Sequence, residues 1–229
     1  ANDVILEYSS AGSSNNYIVL FNGVDYVYFK NLSFNTANAG SYARIFEFRN
    51  HADSNGVVNC NLTGKYGSNT SYVLIYSYGH SNDMNLFEGN TMKDCYAGAY
   101  YRATGTTNLA KGNIFLNNDI SNYYYYGLYL YYHDAVQVVG NEINGSATYG
   151  LYLYYGDNDC LISKNKINNA GSYGMYFRLC DATSVKRFEI SNNFITGALS
   201  YGIYDYTPKY HDYYNNSINV NNGSYGLYL

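Results

Sequence analysis

The chain has 229 residues, with 33 Tyr, 22 Gly, one Pro, no Trp, a formal charge of −4 and only 13% charged residues. So many aromatics with so little charge exclude a disordered chain, and Tyr, Asn and Gly in this abundance exclude a helical bundle. No apolar run approaches 18 residues, so no membrane-spanning helix is expected, and the mild acidity leaves no basic footprint for nucleic acid and no polybasic membrane patch.

Short alternating apolar segments succeed one another along the chain, which is the signature of strands. Residues 4–8 read as a first strand. Tyr17-Ile18-Val19-Leu20 follows, then residues 27–34, Ala43-Arg44-Ile45-Phe46, Tyr72-Val73-Leu74-Ile75 and Gly98-Ala99-Tyr100-Tyr101. From Tyr126 the copies become plain. Tyr126-Gly127-Leu128-Tyr129-Leu130-Tyr131 returns as Tyr149-Gly150-Leu151-Tyr152-Leu153-Tyr154. It returns again as Tyr173-Gly174-Met175-Tyr176-Phe177, Tyr201-Gly202-Ile203-Tyr204 and Tyr225-Gly226-Leu227-Tyr228-Leu229. A second landmark, apolar-x-x-Asn-x-apolar, alternates with the first around Asn90, Asn141, Asn165, Asn193 and Asn216. Asn113 heads a shorter version ending at Phe115, and Leu32 and Cys60 hold the Asn place in the earliest copies.

A period of 23–29 residues with two short strands per repeat predicts an all-β parallel solenoid of about nine coils, one domain over residues 1–229 and about 40–45 Å long. Leucine-rich repeats share the period but need a Leu-rich consensus with a helical arc, and propeller blades are longer. Stacked coils place Leu128, Leu151, Met175, Ile203 and Leu227 in one interior column and Leu130, Leu153 and Phe177 in another. Asp205 interrupts the second column and puts the register there in question. Asn90, Asn113, Asn141, Asn165, Asn193 and Asn216 are expected at left-handed turn positions, stacked as a ladder of side-chain amides. A single Pro agrees, since Pro removes a ladder donor.

The repeated YGLYLYYxD followed by V-x-GNxI resembles the right-handed parallel β-helix repeats of the pectate-lyase-like superfamily. More narrowly, it is similar to Tyr- and Asn-rich β-helix regions of large secreted bacterial surface proteins. That resemblance implies an extracellular or cell-surface location and a structural or adhesive role. It also implies an alternative, a lyase or glycosidase acting on acidic plant or microbial polysaccharide. A lyase of this fold would pair a calcium carboxylate cluster with an Arg or Lys base, for which Arg102 and Arg178 are placed. A glycosidase would need neighbouring carboxylates, for which Asp157, Asp159 and Asp181 are the set. Neither set carries a family active-site motif, so no catalytic residue is assigned.

The strongest functional feature is the tyrosine stripe. Tyr100, Tyr129, Tyr152, Tyr176, Tyr204 and Tyr228 share one outward strand position, and Tyr131, Tyr154 and Tyr206 share the position two further on. An outward aromatic face suits stacking on sugar rings, although outward tyrosines also stabilise a sheet simply by stacking on each other. Asp134, Asp157 and Asp181 fall at one place in three successive coils. Three close carboxylates would suit Ca²⁺, or each Asp would open a turn by bonding its own backbone; Lys209 takes the place in the next coil. No other cofactor is implied. His51, His80, His133 and His211 read as solvated turn residues. Cys60, Cys95, Cys160 and Cys180 lack metal spacing and read as free buried thiols or one or two disulfides. Sequons at Asn31, Asn61, Asn69, Asn144, Asn215 and Asn222 are expected by chance in so Asn-rich a chain. The two ends are roughly register-compatible, which suggests a segment of a longer solenoid or head-to-tail self-association into a filament.

Overall fold

A computed structural model describes residues 4–9, 12–145, 148–221 and 225–229. The sequon at Asn222 lies outside the described residues. The chain winds as a right-handed solenoid of about eight full turns built almost entirely of parallel strands, with one short 3₁₀ turn at Ser13–Asn15. Each coil contributes one strand to each of three faces. The first face is made by the Tyr-motif strands, among them Val73–Tyr78, Tyr149–Asp157, Tyr173–Arg178, Tyr201–Tyr206 and Tyr225–Tyr228. The second is an eight-stranded sheet that includes Ile114–Leu116, Gln137–Val139 and His211–Tyr214. The third holds Glu142–Asn144, Lys166–Asn168 and their equivalents. Thr91–Arg102 and Asp119–Asp134 run through the third face into the first without a break, which joins those two faces into one 17-stranded sheet.

Register is kept from coil to coil, so like residues meet like at a spacing of ~4.8 Å. Leu128 pairs with Leu151, Leu151 with Met175, Met175 with Ile203 and Ile203 with Leu227. All but Leu227 in this row are buried; Leu227, in the last strand, is exposed. On the third face Ile120, Ile143, Ile167, Ile195 and Ile218 form a further interior row. No coil could bury these side chains alone. Stacking removes them from water at about 1.5–3 kcal/mol each.

The Tyr-Gly pair that starts each motif has a steric cause. A Cβ on Gly150 would sit 2.6 Å from the carbonyl oxygen of Gly174, and one on Gly174 would sit 2.5 Å from that of Gly202. Only glycine lets successive coils approach this closely at the corner between the third and first faces.

The Asn ladder is built differently from the sequence expectation in two respects. Its members are Asn90, Asn118, Asn141, Asn165, Asn193 and Asn216, each Nδ2 donating at 2.9–3.0 Å to the Oδ1 of the next. Each Oδ1 also accepts the backbone N–H of the previous member, and Cys60 N–H enters the ladder at Asn90. Asn113 is not in it. That residue belongs to a second ladder, at the corner between the first and second faces, where Asn55 N–H donates to Asn85 and Asn85 N–H donates to Asn113. Asn118 sits where strand turns to strand in that coil, and the apolar pattern around Asn113 drew attention to the wrong corner. Nor are the ladder residues left-handed. The residue before each one takes that conformation: Gly89, Asn117, Gly140, Lys164, Asn192 and Asn215 all have φ between 49° and 67°. This turns the ladder side chain inward, where its amide is shielded from water.

Asp205 does not disturb the register. It pairs in line with Phe177 and is fully buried in the Leu130–Leu153–Phe177 column. Its Oδ2 lies 2.6 Å from His211 Nδ1 and accepts the Tyr213 hydroxyl at 2.5 Å. The four cysteines are buried free thiols. Burial in apolar surroundings pushes the Cys95, Cys160 and Cys180 thiols well up, so they are inert side chains of the core.

Candidate functional site

The first face carries three outward columns. In the central one Tyr76, Tyr100, Tyr129, Tyr152, Tyr176, Tyr204 and Tyr228 stack with ring centroids 4.3–5.7 Å apart and planes within 20° of parallel. Beside it Tyr126, Tyr149, Tyr173, Tyr201 and Tyr225 form a second stack at 5.0–5.6 Å. The two stacks meet edge to face, as at Tyr149–Tyr152 (5.1 Å, 83°) and Tyr173–Tyr176 (5.2 Å, 86°). Edge-to-face and offset contacts are the arrangements that the aromatic quadrupole favours.

This packing alters what the face offers. Tyr129, Tyr152, Tyr176 and Tyr204 each have a parallel ring on both sides, so their π faces are spent on one another. What reaches the surface along the stack is ring edges and hydroxyls. Burial, with the neighbouring phenols, pushes Tyr126, Tyr129 and Tyr152 upward and Tyr149 up to about 12. The phenols are therefore neutral and able both to donate and to accept hydrogen bonds.

The third column is mixed. Backbone register places Arg49, Tyr78, Arg102, Tyr131, Tyr154, Arg178 and Tyr206 at one strand position in successive coils. Arg102 lies 5.0 Å over the Tyr78 ring and 4.7 Å over Tyr131, and Arg178 lies 5.3 Å over Tyr154 and 5.8 Å over Tyr206. Tyr131 and Tyr154 stack at 4.6 Å. Cation–π contact holds each guanidinium against its neighbours without neutralising it. In the central column Glu47 takes the place of a Tyr, and it is paired with Arg44 at 3.0 Å and Arg49 at 2.6 Å. A chain of net charge −4 thus carries cations along the tyrosine face.

The negative charge is gathered at the corner where the first face turns into the second. One backbone ladder links Asp25, Asp53, Asp83, Lys111, Asp134, Asp157, Asp181 and Lys209 at the same place in eight coils. Sequence inspection found only Asp134, Asp157, Asp181 and Lys209, because the motif weakens upstream and the spacing drifts. These carboxylates do not open turns by bonding their own backbone. Asp157 accepts the N–H of Asp181 in the next coil, and Asp134 accepts from the Asn158 amide at 3.1 Å. Asp181 pairs with Lys209 at 3.0 Å, and Asp159 lies 3.6 Å from Lys186. Burial, opposed by the Asp181 N–H and reinforced by the charges of Asp181 and Asp134, raises Asp157 above the usual carboxylate value. Among the described residues no three His, Cys, Asp or Glu side chains come together as a set that could hold a metal ion.

Two histidines expected in solvent are inside. His133 is fully buried, with Nε2 3.1 Å from the Tyr101 carbonyl and Nδ1 without a partner, and burial pushes it down to about 4. It is a neutral imidazole whose Nε2 donates. His211 packs 4.6 Å from the Phe188 ring beside Asp205. Turn-like neighbours in the sequence concealed both, since a polar residue between strands normally faces water.

No curated protein matches the chain. Among solved structures it is similar to the periplasmic alginate epimerase AlgG, at 14% identity and a TM-score of 0.55, over 86% of this chain and 47% of that one. It also overlays on the catalytic domain of a GH87 α-1,3-glucanase in complex with nigerose, at 12% identity and a TM-score of 0.35, over 87% of this chain and 51% of that one. The chain therefore spans about half the length of these proteins. The profile described as right handed beta helix region matches residues 50–229, and the chain belongs to that family.

Proposed function

We propose that this β-helix is a non-catalytic extracellular module, structural or adhesive, whose tyrosine and arginine face binds an acidic polysaccharide. The observation behind this reading is the segregation of charge: Arg49, Arg102 and Arg178 stand in one column among hydroxyl-bearing rings, while the aspartates line the neighbouring corner. A rigid sheet of parallel columns meets a linear polymer over a long contact. Many weak hydroxyl contacts then act together with a few charge-assisted ones. The stacked ring faces make hydroxyl edges and guanidinium groups, rather than π stacking, the main contact along the column.

The competing lyase or hydrolase reading needs carboxylates free to exchange protons. Asp159 and Asp181 are instead ion-paired, and Asp157 holds the coil below it. The test is retention on immobilised polygalacturonate and on alginate, the polysaccharide in the epimerase's name. Retention should weaken with salt and fall at least tenfold in Arg102→Gln/Arg178→Gln. Retention indifferent to salt and to both substitutions would overturn the reading. So would turnover of either polymer that Asp181→Ala abolishes.

A further inference from the structure

The second ring stack runs from Tyr225 back through Tyr201, Tyr173 and Tyr149 and then stops at Tyr126. Backbone register continues the position into the two preceding coils as Ala97 and Val73. Tyr149 lies parallel to Tyr126 on one side. On the other side no described ring does, since its remaining neighbours meet it edge to face. The column is short of a ring at this point, and a cavity of about 330 Å³ opens between Arg44, Tyr76, Tyr100, Tyr126 and Tyr129. That volume is at the lower end of what small-ligand sites occupy.

The cavity has a cation at one side. The Arg44 guanidinium lies 3.4 Å from the Tyr76 ring centroid, and its Nη1 donates to Glu47 at 3.0 Å. Its buried Nε–H finds no acceptor in the protein. Glu47 is shared with Arg49, so one negative charge answers two positive ones. No carboxylate lines the cavity. Burial raises Tyr76 and Tyr126, which keeps these two phenols neutral.

We infer that this cavity is a subsite for one uronic-acid unit, a pyranose bearing a carboxylate, of the polymer bound along the face; the inference rests on the function proposed above. The sugar ring takes the place in the stack that Ala97 leaves. Its C–H face lies on the side of Tyr126 that Tyr96 meets only edge to face, its carboxylate turns to Arg44, and its hydroxyls meet Tyr76 and Tyr100. Tyr129, Tyr152, Tyr176 and Tyr204, with both sides of their rings occupied, hold the polymer without selecting a unit.

Titration calorimetry of the full chain with tri-galacturonate, tri-mannuronate and their neutral counterparts tests this. At least one uronate trisaccharide should bind tenfold or more tightly than its neutral form. Ala97→Tyr, which completes the column, and Arg44→Gln should each weaken that binding at least tenfold. Ala97→Tyr should keep retention on immobilised polymer within about threefold of the unsubstituted chain. Circular dichroism and thermal melts show that each variant is folded; if Ala97→Tyr is not, Tyr126→Leu removes the same ring contact. Trisaccharide affinity unchanged in the folded variants, or no trisaccharide binding while polymer is retained, overturns the subsite and leaves the wider reading standing. Failure of the unsubstituted chain to retain polymer overturns both.

Discussion

His211 Nδ1 lies 2.6 Å from Asp205 Oδ2 inside the solenoid, and His211 Nε2 lies 2.9 Å from the carbonyl oxygen of Cys180. A carbonyl only accepts, so Nε2 carries a proton. Oδ2 also accepts the Tyr213 hydroxyl, so His211 and Tyr213 converge on one carboxyl oxygen. The ring is therefore bonded at both nitrogens beside a buried carboxyl group, at a place where the preceding coil has Phe177 and Phe188. Removing one partner of such a pair strands the other, whereas replacing the whole set with apolar groups is often harmless. Asp205→Leu alone should lower stability by about 3–5 kcal/mol. Asp205→Leu/His211→Phe/Tyr213→Phe should recover most of that loss in urea unfolding. A triple variant no more stable than the single one would sink the account.

The Asn ladder should be costly to interrupt. Asn165 Oδ1 accepts both the backbone N–H and the Nδ2 of Asn141 at 3.0 Å. Asn165→Ala leaves two buried donors without an acceptor, at a cost of about 2–4 kcal/mol. Hydrogen exchange should show the loss centred on the coils either side of residue 165, since repeats couple to their nearest neighbours. An even loss of protection over all coils would contradict this.

Alkaline pH should unfold the chain through the tyrosine stacks. A group whose folded pKa is raised gives stability that is fully present below its unfolded value and is lost as pH climbs toward the folded one. Unfolded Tyr ionises near 10, and Tyr149 is pushed up to about 12 by burial and its Tyr neighbours. Thermal melts should therefore fall between about pH 10 and 12, in step with the last part of the rise in phenolate absorbance. Complete ionisation of all 33 tyrosines near pH 10 in a chain that stays folded would refute the buried stacks.

The acidic corner should respond in the opposite direction to charge removal. Burial, with Asp181 and Asp134 nearby, raises Asp157. Its ionised form is disfavoured in the fold, a cost present at neutral pH that disappears below about pH 4, where the unfolded carboxyl is protonated too. Asp157→Asn keeps an oxygen to accept the Asp181 N–H. The substitution should raise the melting temperature at pH 7 and lose that gain by pH 4. A lower melting temperature at pH 7 would show that the charge itself is needed.

The sequence alone determined the period, the all-β parallel solenoid, the Leu128–Leu151–Met175–Ile203 row and the outward Tyr129–Tyr152–Tyr176–Tyr204 row. It could do so because a side chain's face follows from strand alternation, and like residues recur at like places in every coil. Tertiary structure alone decided that Asn118 and not Asn113 joins the ladder, that His133 and His211 are buried, and that Asp25, Asp53, Asp83 and Lys111 belong to the same corner as Asp134, Asp157, Asp181 and Lys209. It also decided that Arg49 joins Arg102 and Arg178 in their column and that the ring stack stops at Ala97. These depend on which coil lies against which, across 20–30 residues of sequence with drifting spacing, and only the wound chain establishes that register.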